Sequence, residues 1–175
     1  MNTTARFAII TAGMCLGLSG GADAAQGRAH LAPTSEESAL SGDVTFEDTP
    51  GGLSVSARIS GAPSGHHGFH IHEFGGCEDA GNAAGGHYNP AQVKHGDLSA
   101  EGLTAAHAGD LGNVEIGESG EGAYQRVLPG ITLADGTYTV GGRAVILHTN
   151  PDDFGQPTGN AGGRIGCGII LITKP

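Results

Sequence analysis

No stretch of this chain carries apolar residues at the 3.6-residue spacing of an amphipathic helix, which narrows the choice to β architectures. What recurs instead is alternation. In residues 53–60, Leu53, Val55, Ala57 and Ile59 are separated by Ser54, Ser56 and Arg58 and followed by Ser60, so one face of a strand is apolar and the other polar. Val44 and Phe46 flank Thr45 in the same way, and Thr49-Pro50-Gly51-Gly52 makes the turn between the two runs. Phe69 and Ile71 alternate with His70 and His72, and residues 137–140, 144–147 and 169–172 read as further strands. The 33 Gly and 8 Pro are spread between these runs as punctuation rather than gathered in a linker. Short strands with Gly-rich turns predict an all-β antiparallel sandwich or barrel. Residues 75–106 and 150–163 do not read as strands, and connections of that length inside a compact domain are usually functional.

Residues 1–24 are built differently. Arg6 supplies a positive charge, residues 7–18 form an apolar run broken by Thr11 and glycines, and Ala22-Asp23-Ala24 follows. That is the layout of a secretory signal peptide, cleaved after Ala24, leaving residues 25–175 as one domain. A membrane anchor would need a run of about 20 residues. A lipoprotein would use Cys15, but Met14 stands where a small residue is expected before the modified cysteine. The expected location is therefore periplasmic or otherwise secreted, with no membrane attachment after cleavage. Cys15 leaves with the signal, so Cys77 and Cys167 remain as an even pair in an oxidising compartment, where a disulfide is the default. Such a bond closes a loop of about 90 residues, worth roughly 4–5 kcal/mol in the chain-entropy model. With 18 Asp and Glu against 8 Lys and Arg, the chain lacks the basic footprint that a nucleic-acid partner requires.

Nine His in a chain with two Lys point to metal chemistry, because neutral imidazole is the commonest metal ligand. His70 and His72 lie two apart on an expected strand and so project from one face. Alone, that pair equally describes two exposed strand histidines. It is joined by His87 in GGHYNP, His95 in KHGD, His107 and Asp110 in HAGD, and His148 at the end of the 144–147 run. Three imidazoles with one carboxylate suit tetrahedral zinc, and imidazoles alone in a flattened arrangement suit Cu(II).

The segments GFHIHEF, GGHYNPAQVKHG, HAGDLGNV and GNAGGRIGCG, in this order, resemble the copper–zinc superoxide dismutases across residues 31–172, in a form similar to the exported bacterial members. The resemblance implies an eight-stranded Greek-key β-sandwich or barrel with two long functional loops. It implies superoxide as substrate, disproportionated in a ping-pong cycle to dioxygen and hydrogen peroxide, with one copper and one zinc ion per subunit and room for a homodimer. By the same resemblance His70, His72, His87 and His148 hold copper, and His87, His95, His107 and Asp110 hold zinc. His87 then bridges both ions and carries a proton during turnover. Asp152 is expected to hydrogen-bond both His70 and His95, with Asp153 as its neighbouring rival. Cys77 and Cys167 match the family disulfide, and Arg164 the arginine that attracts and orients the superoxide anion beside copper. His67 resembles a structural histidine outside the site, while His66 and His30 have no assigned role.

The chain also departs from the animal enzymes. Cys77 follows His72 by five residues, the span from His87 to His107 is longer, and that from His148 to Arg164 is shorter. Residues 150–163 contain no Lys or Glu, so substrate guidance falls to Arg164, the metals and Lys94. Other readings fit less well. A metal-storage or delivery module on the same fold would lack a copper ligand or the arginine. A cupin oxygenase would need a glutamate where Gly75 and Gly76 stand. A hydrolytic zinc enzyme needs an open zinc position, which three His and Asp110 close.

Overall fold

A computed structural model describes residues 24–175, so the signal-peptide reading of residues 1–24 falls almost wholly outside the described residues. The strands are β1 (Gln26–Pro33), β2 (Ser41–Thr49), β3 (Gly52–Ser60), β4 (Gly65–His72), β5 (Asp110–Ile116), β6 (Gly122–Leu128), β7 (Ala144–His148), β8 (Arg164–Ile169) and β9 (Leu171–Lys174). The only helical pieces among the described residues are a 3-10 turn at Asn82–Ala84 and a single-turn α1 (Leu98–Glu101). Asp97 caps α1 by accepting from the N–H groups of Ser99 and Ala100.

Hydrogen bonding runs β2-β3-β6-β5-β4-β7-β8-β1, and β1 returns to β2 through pairs from Gln26↔Glu47 to Leu31↔Gly42. Eight antiparallel strands thus close on themselves, with β9 as an extra strand continuing along β1 beyond β8. Closure removes the exposed edges that an open sheet would present. The neighbours β3–β6 and β4–β7 are not consecutive in sequence, which gives the barrel its Greek-key winding.

Alternation decides what fills the barrel. β3 turns Leu53, Val55, Ala57 and Ile59 inward, β2 adds Val44 and Phe46, and β4 and β7 add Phe69, Ile71, Val145 and Leu147. Phe69 meets Tyr124 edge-on with ring centroids 5.3 Å apart. Each of the Val, Leu, Ile and Phe side chains stabilises the fold by roughly 1.5–3 kcal/mol on burial. Because every second residue of β4 faces inward, His70 and His72 must face out, yet they too are buried, at 0% and 1% exposure. The long connections, residues 73–109 and 149–163, lie over them. β7 is buried at all five positions for the same reason, with Ala144, Ile146 and Cys167 forming a small second apolar cluster on the outer face.

Residues 137–140 do not form the expected strand. They make a turn held by an isolated bridge between Thr132 and Thr139, and Val140 is buried as its anchor. The run 169–172 is split, because Ile170 turns fully into the core between β8 and β9. The two stretches that lacked a strand pattern contain no strand.

Candidate metal centre

Strand alternation places the first three imidazoles. His70 and His72 project from the outer face of β4, and His148 ends β7, which pairs with β4 in the register His70↔Ile146 and His72↔Ala144. His87 is brought alongside by the loop, which zips onto the end of β4. Glu73 N–H donates to Gly86 O at 2.9 Å, and Tyr88 N–H donates to Ile71 O at 2.9 Å. His107 and Asp110 share a tight turn in which Asp110 Oδ2 accepts from the His107 N–H at 2.9 Å and the Gly96 N–H at 3.1 Å. Among the described residues two four-residue sets result, His70, His72, His87 and His148, and His87, His95, His107 and Asp110, with His70, His95 and Asp152 as a third group between them. In each, one donor atom per residue lies within 4.8 Å of the others, every residue is buried, and His87 belongs to both four-residue sets.

The hydrogen bonds determine which nitrogens are left to bind. His72 Nδ1 faces Gly85 O at 3.0 Å and His148 Nδ1 faces Gly162 O at 3.2 Å. A carbonyl only accepts, so each ring carries its proton on Nδ1 and leaves Nε2 bare. Those two bare nitrogens lie 3.3 Å apart, a mutual repulsion that a cation between them would relieve. His70 and His95 are turned the other way. Their Nε2 atoms donate to Asp152 Oδ2 at 2.9 Å and Oδ1 at 2.8 Å, leaving both Nδ1 atoms buried and that of His70 with no hydrogen bond. The Nδ1 atoms of His87, His95 and His107 converge on the Asp110 carboxylate at 2.9, 2.9 and 3.2 Å. This donor chemistry fits a cation in each set: four imidazoles in one, three imidazoles and a carboxylate in the other.

Electrostatics divides the two sets. Burial pushes His72 down to about 2, His87 to about 4 and His148 to about 3, so these rings stay neutral as metal ligation requires. Burial also acts against the charged form of His95. There, hydrogen bonds and charge from Asp110 and Asp152 outweigh it and raise the ring to about 9. Without a metal, a proton on His95 satisfies the carboxylate. Asp110 itself is held far below the usual carboxylate range: burial opposes this, and hydrogen bonds from His107, His87 and His95 overcome it.

Arg164, half-buried at the start of β8, donates from Nη1 to Gly81 O and from Nη2 to Gly85 O at 2.6 Å. Gly85 O is also the acceptor for His72 Nδ1, so one carbonyl ties the guanidinium to a ring of the first set. Arg164 lies near enough for its charge to help depress both His72 and His148. The loop that offers these carbonyls is joined to β8 by the Cys77–Cys167 disulfide, with Cα atoms 5.7 Å apart.

All the sequence-predicted histidines and Asp110 are therefore brought together. Asp152 rather than Asp153 reaches the imidazoles, while Asp153 is exposed and accepts from Asn160 Nδ2 and the Gly155 N–H. His67 is buried between the carbonyls of His148 and Pro63 at 2.8 and 2.9 Å, outside both sets. His30 meets Asp43 on the surface at 3.3 Å, and His66 is exposed. Asn113 was not singled out by sequence reasoning, although it stands in the HAGDLGNV segment. Its Oδ1 accepts the Asp152 N–H at 2.7 Å and its Nδ2 donates to Asp152 O at 2.9 Å, which fixes the carboxylate that holds both sets. Gly159 was missed too. A Cβ there would strike the Asp152 carboxylate and the His95 ring, and its φ of 73° suits glycine.

A family model described as copper/zinc superoxide dismutase (SODC) matches residues 40–170. A crystal structure of the clock protein EA4 superposes with a TM-score of 0.75 at 36% sequence identity, covering 87% of this chain and 98% of that one.

Proposed function

The chain belongs to the copper/zinc superoxide dismutase family, and from that membership we propose a residue-level reading of its site and a place of action outside the cytoplasm. The protein is an oxidoreductase that disproportionates superoxide and takes copper and zinc as cofactors. In the proposed reading His70, His72, His87 and His148 hold copper, and His87, His95, His107 and Asp110 hold zinc. The observation that carries it is the pair of bare Nε2 atoms of His72 and His148 at 3.3 Å, beside a second set in which three Nδ1 atoms converge on one carboxylate.

When bound, copper supplies the one-electron exchange in each half of the reaction, and zinc supplies a fixed positive charge next to it. The chain's own residues do the rest. Arg164, pinned by two carbonyls, keeps its remaining N–H donors for an incoming anion and orients it by charge-assisted hydrogen bonds. A chain with net charge −10 repels superoxide at long range, so this local positive field must prevail at the site. His87 Nε2 takes up a proton in the first half and hands it on in the second, and solvent supplies the other proton that hydrogen peroxide needs. Two superoxide anions and two protons thus leave as one dioxygen and one hydrogen peroxide. Asp152 holds His70 and His95 in one tautomer throughout.

Residues 1–24 are read as a cleaved signal, and the Cys77–Cys167 bond suits an oxidising compartment, so the enzyme acts on superoxide arising outside the cytoplasm. The test of the site is His148→Ala, which removes a ligand from the copper set alone. Purified protein should contain copper and zinc in near-equal amounts. The variant should lose copper and dismutation while keeping most of its zinc, as read by elemental analysis. Full activity in the variant would sink the copper assignment.

A further inference from the structure

Gln156 lies in the 149–163 loop with both polar atoms of its side chain committed to the main chain of His95. Oε1 accepts the His95 N–H at 3.2 Å, and Nε2 donates to the His95 carbonyl at 2.7 Å. This is the reciprocal pattern by which two antiparallel strands exchange hydrogen bonds at one residue pair. The same loop holds the tip of that imidazole, since Asp152 Oδ1 accepts from His95 Nε2 at 2.8 Å. Three hydrogen bonds from one loop therefore fix His95 at its backbone and at its far ring nitrogen, and they aim Nδ1 at Asp110 Oδ2, 2.9 Å away. The loop contributes no residue to the His87, His95, His107 and Asp110 set. Its hold on that set runs through His95, whereas Asp110 is braced by the His107 and Gly96 N–H groups. Around Gln156 the loop is tied to itself, with the Gly159 N–H donating to Gly155 O at 2.7 Å and the Asp153 N–H to Gly159 O at 2.9 Å. The amide is thus presented from a braced turn.

We propose that Gln156 is a positioning residue for His95, and that its two-point grip on the His95 backbone sets how firmly the His87, His95, His107 and Asp110 set retains its metal. The proposal rests on reading that set as the zinc site. A ligand held in place beforehand loses less freedom on binding. Partners one step outside a metal's ligands typically change affinity by about 10- to 100-fold. The copper set does not include His95 and is expected to feel little of this.

The test uses the holoprotein with both metals loaded. Zinc release to a competing chelator is followed with a dye, and the visible spectrum of Co(II) substituted for zinc reports the ligand geometry. Gln156→Ala should release zinc about tenfold or more faster and alter the Co(II) bands, with copper content and melting cooperativity retained. Gln156→Glu keeps an acceptor for the His95 N–H but sets a carboxylate against the His95 carbonyl. It should release zinc as fast as the alanine variant, and it carries the test if that variant fails to fold. Zinc release at the unaltered rate in these variants overturns the proposal. So does equal loss of copper and zinc with a broadened melt, which would make Gln156 a general strut. Unaltered protein that holds no zinc would instead refute the zinc reading itself.

Discussion

A guanidinium is always charged at neutral pH, but its value to an anionic substrate depends on where it is held. Arg164 is anchored by Gly81 O and Gly85 O, and Thr34 Oγ1 donates to the Arg164 carbonyl at 2.6 Å, so backbone and side chain are both fixed. It belongs to neither four-residue set, and Arg164→Ala should keep both metals. Loss of one charge-assisted contact, about 1.5–3 kcal/mol, should slow turnover roughly ten- to a hundredfold. Part of that effect is long-range and is screened over a Debye length of about 8–10 Å. Steady-state rates measured against ionic strength should therefore fall more steeply in the unaltered protein than in Arg164→Ala. Equal rates with equal salt slopes would reduce Arg164 to a surface charge.

At the scale of elements, the disulfide and the arginine form one device. Cys77 begins the segment whose carbonyls, Gly81 and Gly85, hold Arg164, and Cys167 lies three residues beyond that arginine on β8. Cys77→Ser with Cys167→Ser should lower stability by roughly 2–5 kcal/mol. It should also lower activity before the metals are lost, because the segment is no longer pinned to the strand carrying the guanidinium. Denaturant melts and rates on the same metal-loaded sample check this; an unchanged rate would uncouple the two. The elements also differ in how plainly the sequence announces them. β2 and β3 alternate without fault and are legible. β6 turns only Tyr124 and Leu128 well inward and leaves Val127 49% exposed, so its apolar positions show no period of two. β5 is interrupted at Gly112, whose φ of 80° breaks the pleat, and the pairing with β4 slips nearby, between Gly68 and His70. β1 fills its inner face partly with Gly27 and Ala29, too small to register as apolar peaks. The imidazoles were legible because ligand chemistry fixes residue type. Asn113, Gln156 and Gly159 were not, since amides and glycines serve many purposes and only the fold brings these to Asp152 and His95.

For the molecule as a whole, two metal sets placed between the barrel wall and its long loops make metal content a stability variable. A ligand present at about a thousandfold its dissociation constant stabilises by about 4 kcal/mol, which for a chain of this size raises Tm by about 10 °C. Chelator-treated protein should melt lower by about that amount in calorimetry, and added zinc should restore much of the difference. The metal-free form should weaken further as pH falls from about 6.5 to about 4. His72, His87 and His148 are depressed when folded, so across that window the unfolded chain binds more protons than the folded one. His95, raised to about 9, already contributes its full share below 6.5 and adds no slope there. A melting temperature that stays flat or rises on acidification would contradict this assignment. The closure of the barrel has a temporal consequence. β1 completes the ring by lying between β2 and the β8–β9 run, where Gln26 pairs with Lys174 and Ala32 with Cys167. No nascent fragment that lacks residues 166–174 can seal it, so the early strands stay partly unshielded until those residues have emerged. Pairings this distant are slow to find, on the order of milliseconds to seconds.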